Sequence, residues 1–101
     1  MRPPQHPQTE SITLTGVLYA LSDPARLQIV RELRNGGEKA CSEFGHKTKA
    51  TMSHHFKVLR EAGVTHTRVD GRRRYTSLRQ EDMEERFPGL LEAVLAARKP
   101  L

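Results

Sequence analysis

A helix that is followed at once by a β-hairpin constrains the fold of this chain more than any other feature. In residues 50–63, ATMSHHFKVLREAG, apolar side chains recur at helical spacing at Met52, Phe56 and Leu59, and Gly63 supplies a stop. The other side of this helix carries mainly hydrogen-bond donors. We therefore predict a helix over about 49–62 whose exposed face is suited to a polar partner.

Residues 64–78, VTHTRVDGRRRYTSL, are rich in residues that favour strands. Asp70-Gly71 in their middle is a strong hairpin signal, and we expect both turn positions to have a positive φ. The pattern predicts a two-stranded wing over about 64–78 with an exposed tip. Four arginines surround the turn: Arg68, Arg72, Arg73 and Arg74.

Helices are predicted on both sides of this unit. One covers about 11–21, and the next begins after Asp23-Pro24, which combines an N-cap with a proline suited to the first turn. Residues 38–45 suggest a short helix. A C-terminal helical region over about 80–98, restarted at Pro88, is apolar enough to form a dimer interface.

Residues 1–8 hold three of the six prolines, so we expect a disordered arm before a single domain at 9–101. The chain has 101 residues and a single cysteine, which excludes an internal disulfide and zinc sites of the four-cysteine or two-cysteine, two-histidine type within one chain. We find no signal peptide and no transmembrane pattern, and therefore expect a cytoplasmic protein without membrane contact.

Positive charge is concentrated in the helix and the hairpin. Residues 45–78 carry eight Lys and Arg against two acidic residues, a net charge of +6, whereas the whole chain has +5. Such a concentration is typical of a surface that binds a polyanion. The order of a short helix, a turn, a donor-rich helix and an arginine hairpin is that of a winged helix-turn-helix, which reads double-stranded DNA.

The fold class that we predict is mainly α with a small β-hairpin (α+β): five or six helices and a two-stranded wing, paired as a homodimer through the terminal helices. In this fold the exposed side chains of the recognition helix reach base edges or phosphates, and the wing reaches the neighbouring backbone. The predicted contacts of the recognition helix are Lys49, Thr51, Ser53, His54 and Lys57, and those of the wing are the four arginines.

Three runs, SDPARLQIVREL, CSEF and TMSHHFKVLREAGVTHTRVDGRRRYTSL, resemble the ArsR/SmtB family of small dimeric bacterial repressors over about residues 12–80. The resemblance implies a winged helix dimer and adds Thr48, with Lys47 before it, to the predicted DNA contacts. It also implies a sequence-specific transcriptional regulator, a repressor, that binds a dyad operator. Many family members sense metals through a Cys-x-Cys pair, but aligning EKACSEF with that pattern puts Ala40 and Ser42 at those positions.

The last helix contains no histidine, which the other common metal site of the family uses. We therefore predict no metal site and no cofactor, and the effector stays unknown. Cys41 lies between the two positions of the pair and has three interpretations: a small core residue, a redox sensor, or one ligand of a metal site that the two subunits of the dimer share. His54 and His55 are adjacent, so they point to different sides, with His54 toward DNA and His55 toward the body.

Two other classes of protein remain as alternatives. A winged helix that has lost DNA readout could act as a protein-interaction module, for example an antitoxin, although such a module has no reason to keep both a donor-rich helix and an arginine wing. An enzyme is not expected, because no spacing supports a nucleophile with its base, a pair of carboxylates or a glycine-rich phosphate loop.

Overall fold

The computed structural model describes residues 3–45, 48–98 and 100. Within these residues the chain forms five α-helices and one three-stranded antiparallel sheet, which confirms the winged helix-turn-helix class. In chain order the elements are α1 (Leu14–Ala20), α2 (Pro24–Gly36), β1 (Lys39–Ala40), α3 (Lys49–Glu61), β2 (Thr65–Asp70), β3 (Arg73–Leu78), α4 (Gln80–Arg86) and α5 (Leu90–Leu95).

Local capping starts the two longest helices. The Asp23 carboxylate accepts hydrogen bonds from the backbone N–H groups of Ala25 and Arg26, which begins α2. The Thr48 hydroxyl accepts one from the N–H of Thr51, which begins α3. Both starts agree with the boundaries that the sequence predicted.

The hairpin is present, but its turn is shifted by one residue from the predicted one. Asp70 pairs with Arg73, so Gly71 and Arg72 occupy the two central positions. Gly71 has φ of 62°, and no described residue other than glycine has a positive φ. The prediction that two turn positions need a positive φ is therefore wrong. A positive φ at the first central position alone is what a type II′ turn requires, and glycine there carries no steric penalty.

The short helix predicted over 38–45 forms only as a 3-10 helix over Cys41–Glu43. Before it, Lys39 and Ala40 make β1, paired with Thr76 and Tyr75 of β3. A helix of so few residues is marginal by itself, whereas pairing with β3 satisfies the backbone groups of β1. The sheet therefore has three strands in the order β1-β3-β2, not two.

One hydrophobic core joins the helices to the base of the sheet. Its fully buried side chains include Val17 of α1, Ile29 and Leu33 of α2, Leu59 of α3 and Met83 of α4. The helical region predicted over 80–98 with a restart at Pro88 forms two helices, α4 and α5, and the chain turns between them at Gly89, whose φ is 79°. The core therefore fixes α3 against α1 and α2 and leaves its other face to solvent.

The N-terminal arm, of which the structure describes residues 3–8, contacts the body, whereas the sequence predicted disorder. The Nε2 atom of His6 accepts a hydrogen bond of 2.9 Å from the backbone N–H of Thr67, and its ring stacks on His66 with the centroids 4.2 Å apart. The Pro7 carbonyl accepts a hydrogen bond from Arg79. The division into an arm at 1–8 and a domain at 9–101 stays a prediction.

We expect the contact between His6 and Thr67 to weaken as the pH falls. Partial burial lowers the pKa of His6 from its usual value of 6.5, and the nearby charges of His66, Arg60 and Arg79 lower it further. A released arm therefore binds a proton more readily than a docked one. The docked state is fully favoured above about pH 6.5 and is lost as the pH falls below it, because a protonated Nε2 cannot accept the hydrogen bond.

Amide hydrogen exchange measures this directly. Between about pH 7.5 and about pH 5, the protection factor of the Thr67 amide should fall several-fold, while that of Thr76 in the central strand stays constant. The variant His6→Gln keeps an acceptor that does not titrate, so its Thr67 protection should not depend on pH. Equal pH dependence in the variant and the native chain would contradict the role given to His6.

Candidate nucleic-acid interface

The exposed face of α3 carries the side chains that the sequence assigned to DNA. Thr48, at the N-cap, and Lys49, Thr51, Ser53, His54 and Lys57 are all exposed. The opposite face packs into the core through Met52, Phe56 and Leu59. Lys47, which completes the predicted set on this side, lies outside the described residues.

The wing, formed by β2, β3 and their turn, presents three exposed arginines near its tip. Arg72 lies in the turn, and Arg73 and Arg74 begin β3. The structure therefore brings a donor-bearing helix face and an arginine cluster to neighbouring surfaces, since α3 and β2 pack against each other. This is the arrangement that allows one protein to contact a groove and the adjacent phosphates of a duplex.

Arg68 of the wing has an acidic partner within the protein. Its Nη2 lies 2.8 Å from Oε1 of Glu38, and its guanidinium stacks 4.5 Å from the ring of Tyr75. The hydrogen bond from Arg68 lowers the pKa of Glu38, so the carboxylate stays ionised beside it. The Glu38 charge offsets that of Arg68, which weakens its attraction for a phosphate.

His54 and His55 point to different sides of α3, as the helical geometry predicted. His54 is exposed, whereas His55 is buried and its Nδ1 lies 3.2 Å from Nη1 of Arg26. Arg26 is itself buried, with 6% of its surface exposed. This contact joins α3 to α2 on the side of α3 opposite His54.

Arg26 was not predicted as a structural residue, although its position in the chain contains a signal for it. The residue lies in the first turn of α2, where the helix dipole disfavours a cation. Its guanidinium instead binds the C-terminal end of α1. Nε donates a hydrogen bond to the Ala20 carbonyl at 2.6 Å, and Nη2 donates one to the Tyr19 carbonyl at 3.3 Å. A cation that caps a preceding helix explains an arginine at this position.

Cys41 lies in the 3-10 turn before α3 and is half-buried. Burial raises the pKa of its thiol, and the opposing effect of Arg74 and Arg60 is smaller. The thiol is therefore mainly neutral near neutral pH, which disfavours the reactive thiolate of a redox sensor. Within the described part of the chain, no three His, Cys, Asp or Glu side chains are grouped so that they could hold a metal ion.

The helix, the turn before it and the wing together define a winged helix-turn-helix protein. A family model described as a helix-turn-helix domain matches residues 21–68. Among the described residues, every helix is too short or too polar to cross a membrane.

Known proteins with similar sequences are regulators of transcription. The chain is 48% identical over 82 residues to the uncharacterized HTH-type transcriptional regulator YceK of Bacillus subtilis strain 168, covering 77% of this chain and 82% of that protein. It is 34% identical over 73 residues to the arsenical resistance operon repressor of Staphylococcus xylosus, covering 70% of each. The crystal structure of an ArsR family transcriptional regulator superposes with a TM-score of 0.66 at 23% identity, covering 84% of this chain and 98% of that one.

The chain belongs to the ArsR family of winged helix-turn-helix transcriptional regulators. Its general function is therefore that of a DNA-binding regulator of transcription.

Proposed function

We propose that this protein is a repressor that binds a two-fold symmetric operator as a homodimer. The observation that carries the proposal is the exposed donor face of α3 beside the arginine tip of the wing. In each subunit α3 would enter a major groove, and Arg72, Arg73 and Arg74 would contact the neighbouring backbone. The dyad would set two half-sites about one helical turn apart, or a multiple of that spacing.

Exposed apolar side chains on α1 support the dimer. Leu14, Leu18 and Tyr19 are 47%, 44% and 62% exposed, which is costly for three large side chains on one short helix. On α5, Val94 and Leu95 are only half-buried. A second copy of the chain would cover these surfaces and complete a core that is small for a single subunit.

The signal that this protein senses would not be a metal ion bound at the usual sites of the family. Ala40 is buried in β1, and Ser42 is exposed in the turn after it, so neither position of the Cys-x-Cys pattern offers a thiolate. The raised pKa of Cys41, between them, favours its interpretation as a packing residue over that as a sensor.

A specificity experiment tests the role of α3. Selection of bound fragments from genomic DNA should return a dyad sequence, occupied by two chains per site. Ser53→Ala and His54→Ala should then reduce the preference for that site over a scrambled one by about 1–3 kcal/mol, because these side chains would contact base edges.

Lys57→Gln is the matched control on the same helix. As a phosphate contact it should weaken binding to both sequences alike and leave their ratio unchanged. The assigned roles would be wrong if Lys57→Gln changed the ratio while Ser53→Ala and His54→Ala did not. Absence of a dyad among the selected fragments would refute the proposed symmetric operator.

A further inference from the structure

A pocket of about 570 Å³ lies between α3, the 3-10 turn before it and the wing. Its apolar lining comes from Phe44, Met52 and Phe56, and the two phenylalanine rings meet edge to face with their centroids 5.4 Å apart. These three side chains belong mainly to the core, with 4%, 4% and 9% of their surface exposed, and only those exposed parts face the pocket. The volume lies within the range of small-molecule sites, which combine an apolar lining with a few polar groups.

The polar lining of this pocket is strongly positive. Of the described residues that line it, none is Asp or Glu, and five are basic. These five are Lys49, Arg60, Arg72, Arg73 and Arg74. A concave surface with charges of one sign and apolar walls concentrates its electrostatic field, so the pocket attracts anions.

Arg60 adds an unpaired hydrogen-bond donor. Its Nε atom is buried and has no hydrogen-bond partner among the residues that the structure describes. A buried donor without an acceptor costs about 1–3 kcal/mol, and native structures rarely leave one in that state. Because this atom is out of contact with solvent, an acidic group in the pocket reaches it only if the Arg60 side chain, which is part of the lining, turns toward the pocket.

We propose that this pocket binds a small organic anion with an apolar body, of the class of aromatic carboxylates or sulfonates. Its acidic group pairs with Arg60 and the wing arginines, and its body rests on Phe44, Met52 and Phe56. A phosphate of the DNA backbone has the negative charge that pairs with these arginines, but it has no apolar body to contact Phe44, Met52 and Phe56. The neutral thiol of Cys41 at the edge of the pocket does not repel such an anion.

The site deepens the proposed function and rests on it for its regulatory meaning. A ligand held by Arg72, Arg73 and Arg74 occupies the side chains that the proposal gives to the DNA backbone. Ligand and DNA therefore compete, and by linkage each lowers the affinity for the other. The protein would be released from its operator by an organic anion instead of a metal.

The single cysteine allows a test at the pocket itself, without DNA. Cys41 lines the pocket, so its rate of alkylation by the neutral reagent N-ethylmaleimide reports occupancy. At a concentration of about ten times its Kd, 1-anilinonaphthalene-8-sulfonate should slow this alkylation about tenfold. The uncharged analogue N-phenyl-1-naphthylamine and inorganic phosphate should not slow the alkylation. The analogue lacks the negative charge, and phosphate lacks the apolar body.

Ser42→Glu provides the matched variant, since Ser42 is exposed, lines the pocket and is outside the predicted DNA contacts. The new carboxylate should repel the sulfonate and remove the protection of Cys41, measured as the ratio of rates with and without the dye. Ser11→Glu changes the net charge equally at an exposed position away from the pocket, and should keep the protection. Thermal unfolding of both variants checks that they fold.

Three outcomes would overturn the site: no protection by the sulfonate, equal protection by the uncharged analogue, or equal protection in Ser42→Glu and the native chain. Protection by inorganic phosphate alone would assign the pocket to the DNA backbone. Because DNA is absent from these measurements, their failure leaves the proposed repressor function standing. Failure of the native chain to bind any operator would in turn leave the alkylation result valid.

Discussion

Replacing Arg72, Arg73 and Arg74 together with glutamine should lower the affinity for duplex DNA of every sequence by roughly 10²-fold at about 0.15 M salt for each subunit bound. Each phosphate contact releases condensed counterions, and the three exposed guanidiniums at the wing tip are placed to make such contacts. The slope of log K against log salt should become less steep by about 0.9 for each phosphate that is no longer neutralised. Titration of labelled duplexes at several salt concentrations measures both quantities.

Two controls separate phosphate contact from a general loss of charge. Arg34→Gln with Arg98→Gln removes exposed positive charges outside the interface and should change the salt slope little. Arg68→Gln should lower the affinity for DNA less than Arg72→Gln does, because Glu38 already offsets the charge of Arg68. An unchanged salt slope in the triple variant, or a weakening confined to one DNA sequence, would show that these arginines do not contact the backbone.

The parts of the interface that the sequence predicted depend on local signals. The helical spacing of Met52, Phe56 and Leu59 sets the buried face of α3, so the exposed face follows from geometry. Gly71 in a β-prone run similarly predicts a hairpin. Even there the register could not be predicted, because Asp-Gly and Gly-Arg turns compete and strand pairing selects between them.

The parts that the sequence did not predict depend on partners far along the chain. β1 exists because Lys39 and Ala40 meet β3, and no local pattern in EKACSEFG indicates that partner. The composition of the arm predicted disorder, yet the imidazole of His6 accepts a hydrogen bond from a backbone N–H on the edge strand β2. An edge strand has backbone N–H groups without a partner in the sheet. The acceptor that the fold places closest to such a group forms the hydrogen bond.

The pocket shows the same limit. Its apolar residues were predicted as core, and Arg72, Arg73 and Arg74 were predicted to be exposed because they cluster at a hairpin turn; the structure agrees with both. What the sequence could not show is that the wing folds back beside the start of α3, so that both groups line one concave surface. A function that needs the two together becomes visible only in three dimensions.

Arg26→Ala should destabilise the protein by about 3 kcal/mol, the largest effect on stability that we expect from one residue outside the apolar core. The guanidinium is buried and donates to two carbonyls at the end of α1 and to Nδ1 of His55 on α3. Alanine leaves the Ala20 and Tyr19 carbonyls without these donors, and it also opens a cavity where three helices meet.

Urea denaturation gives the measurement, with the m-value as a check that the unfolded state is unchanged. Arg31→Ala is the matched control on the same helix, because Arg31 is only half-buried and its hydrogen bond to the Leu95 carbonyl is long, at 3.4 Å. It should cost less than about 1 kcal/mol. Arg26→Lys keeps the charge but cannot reach three acceptors with one ammonium, so it should fall between the two.

The effect should extend to function, because His55 is on the buried side of the recognition helix whose exposed side carries Ser53 and His54. Without the guanidinium of Arg26, α3 has one polar tie fewer to α2 and α1, and its position against DNA is less well defined. At a temperature where Arg26→Ala is still folded, its preference for the operator should therefore fall more than that of Arg31→Ala. Equal stability and equal preference in the two variants would show that the core alone positions the recognition helix.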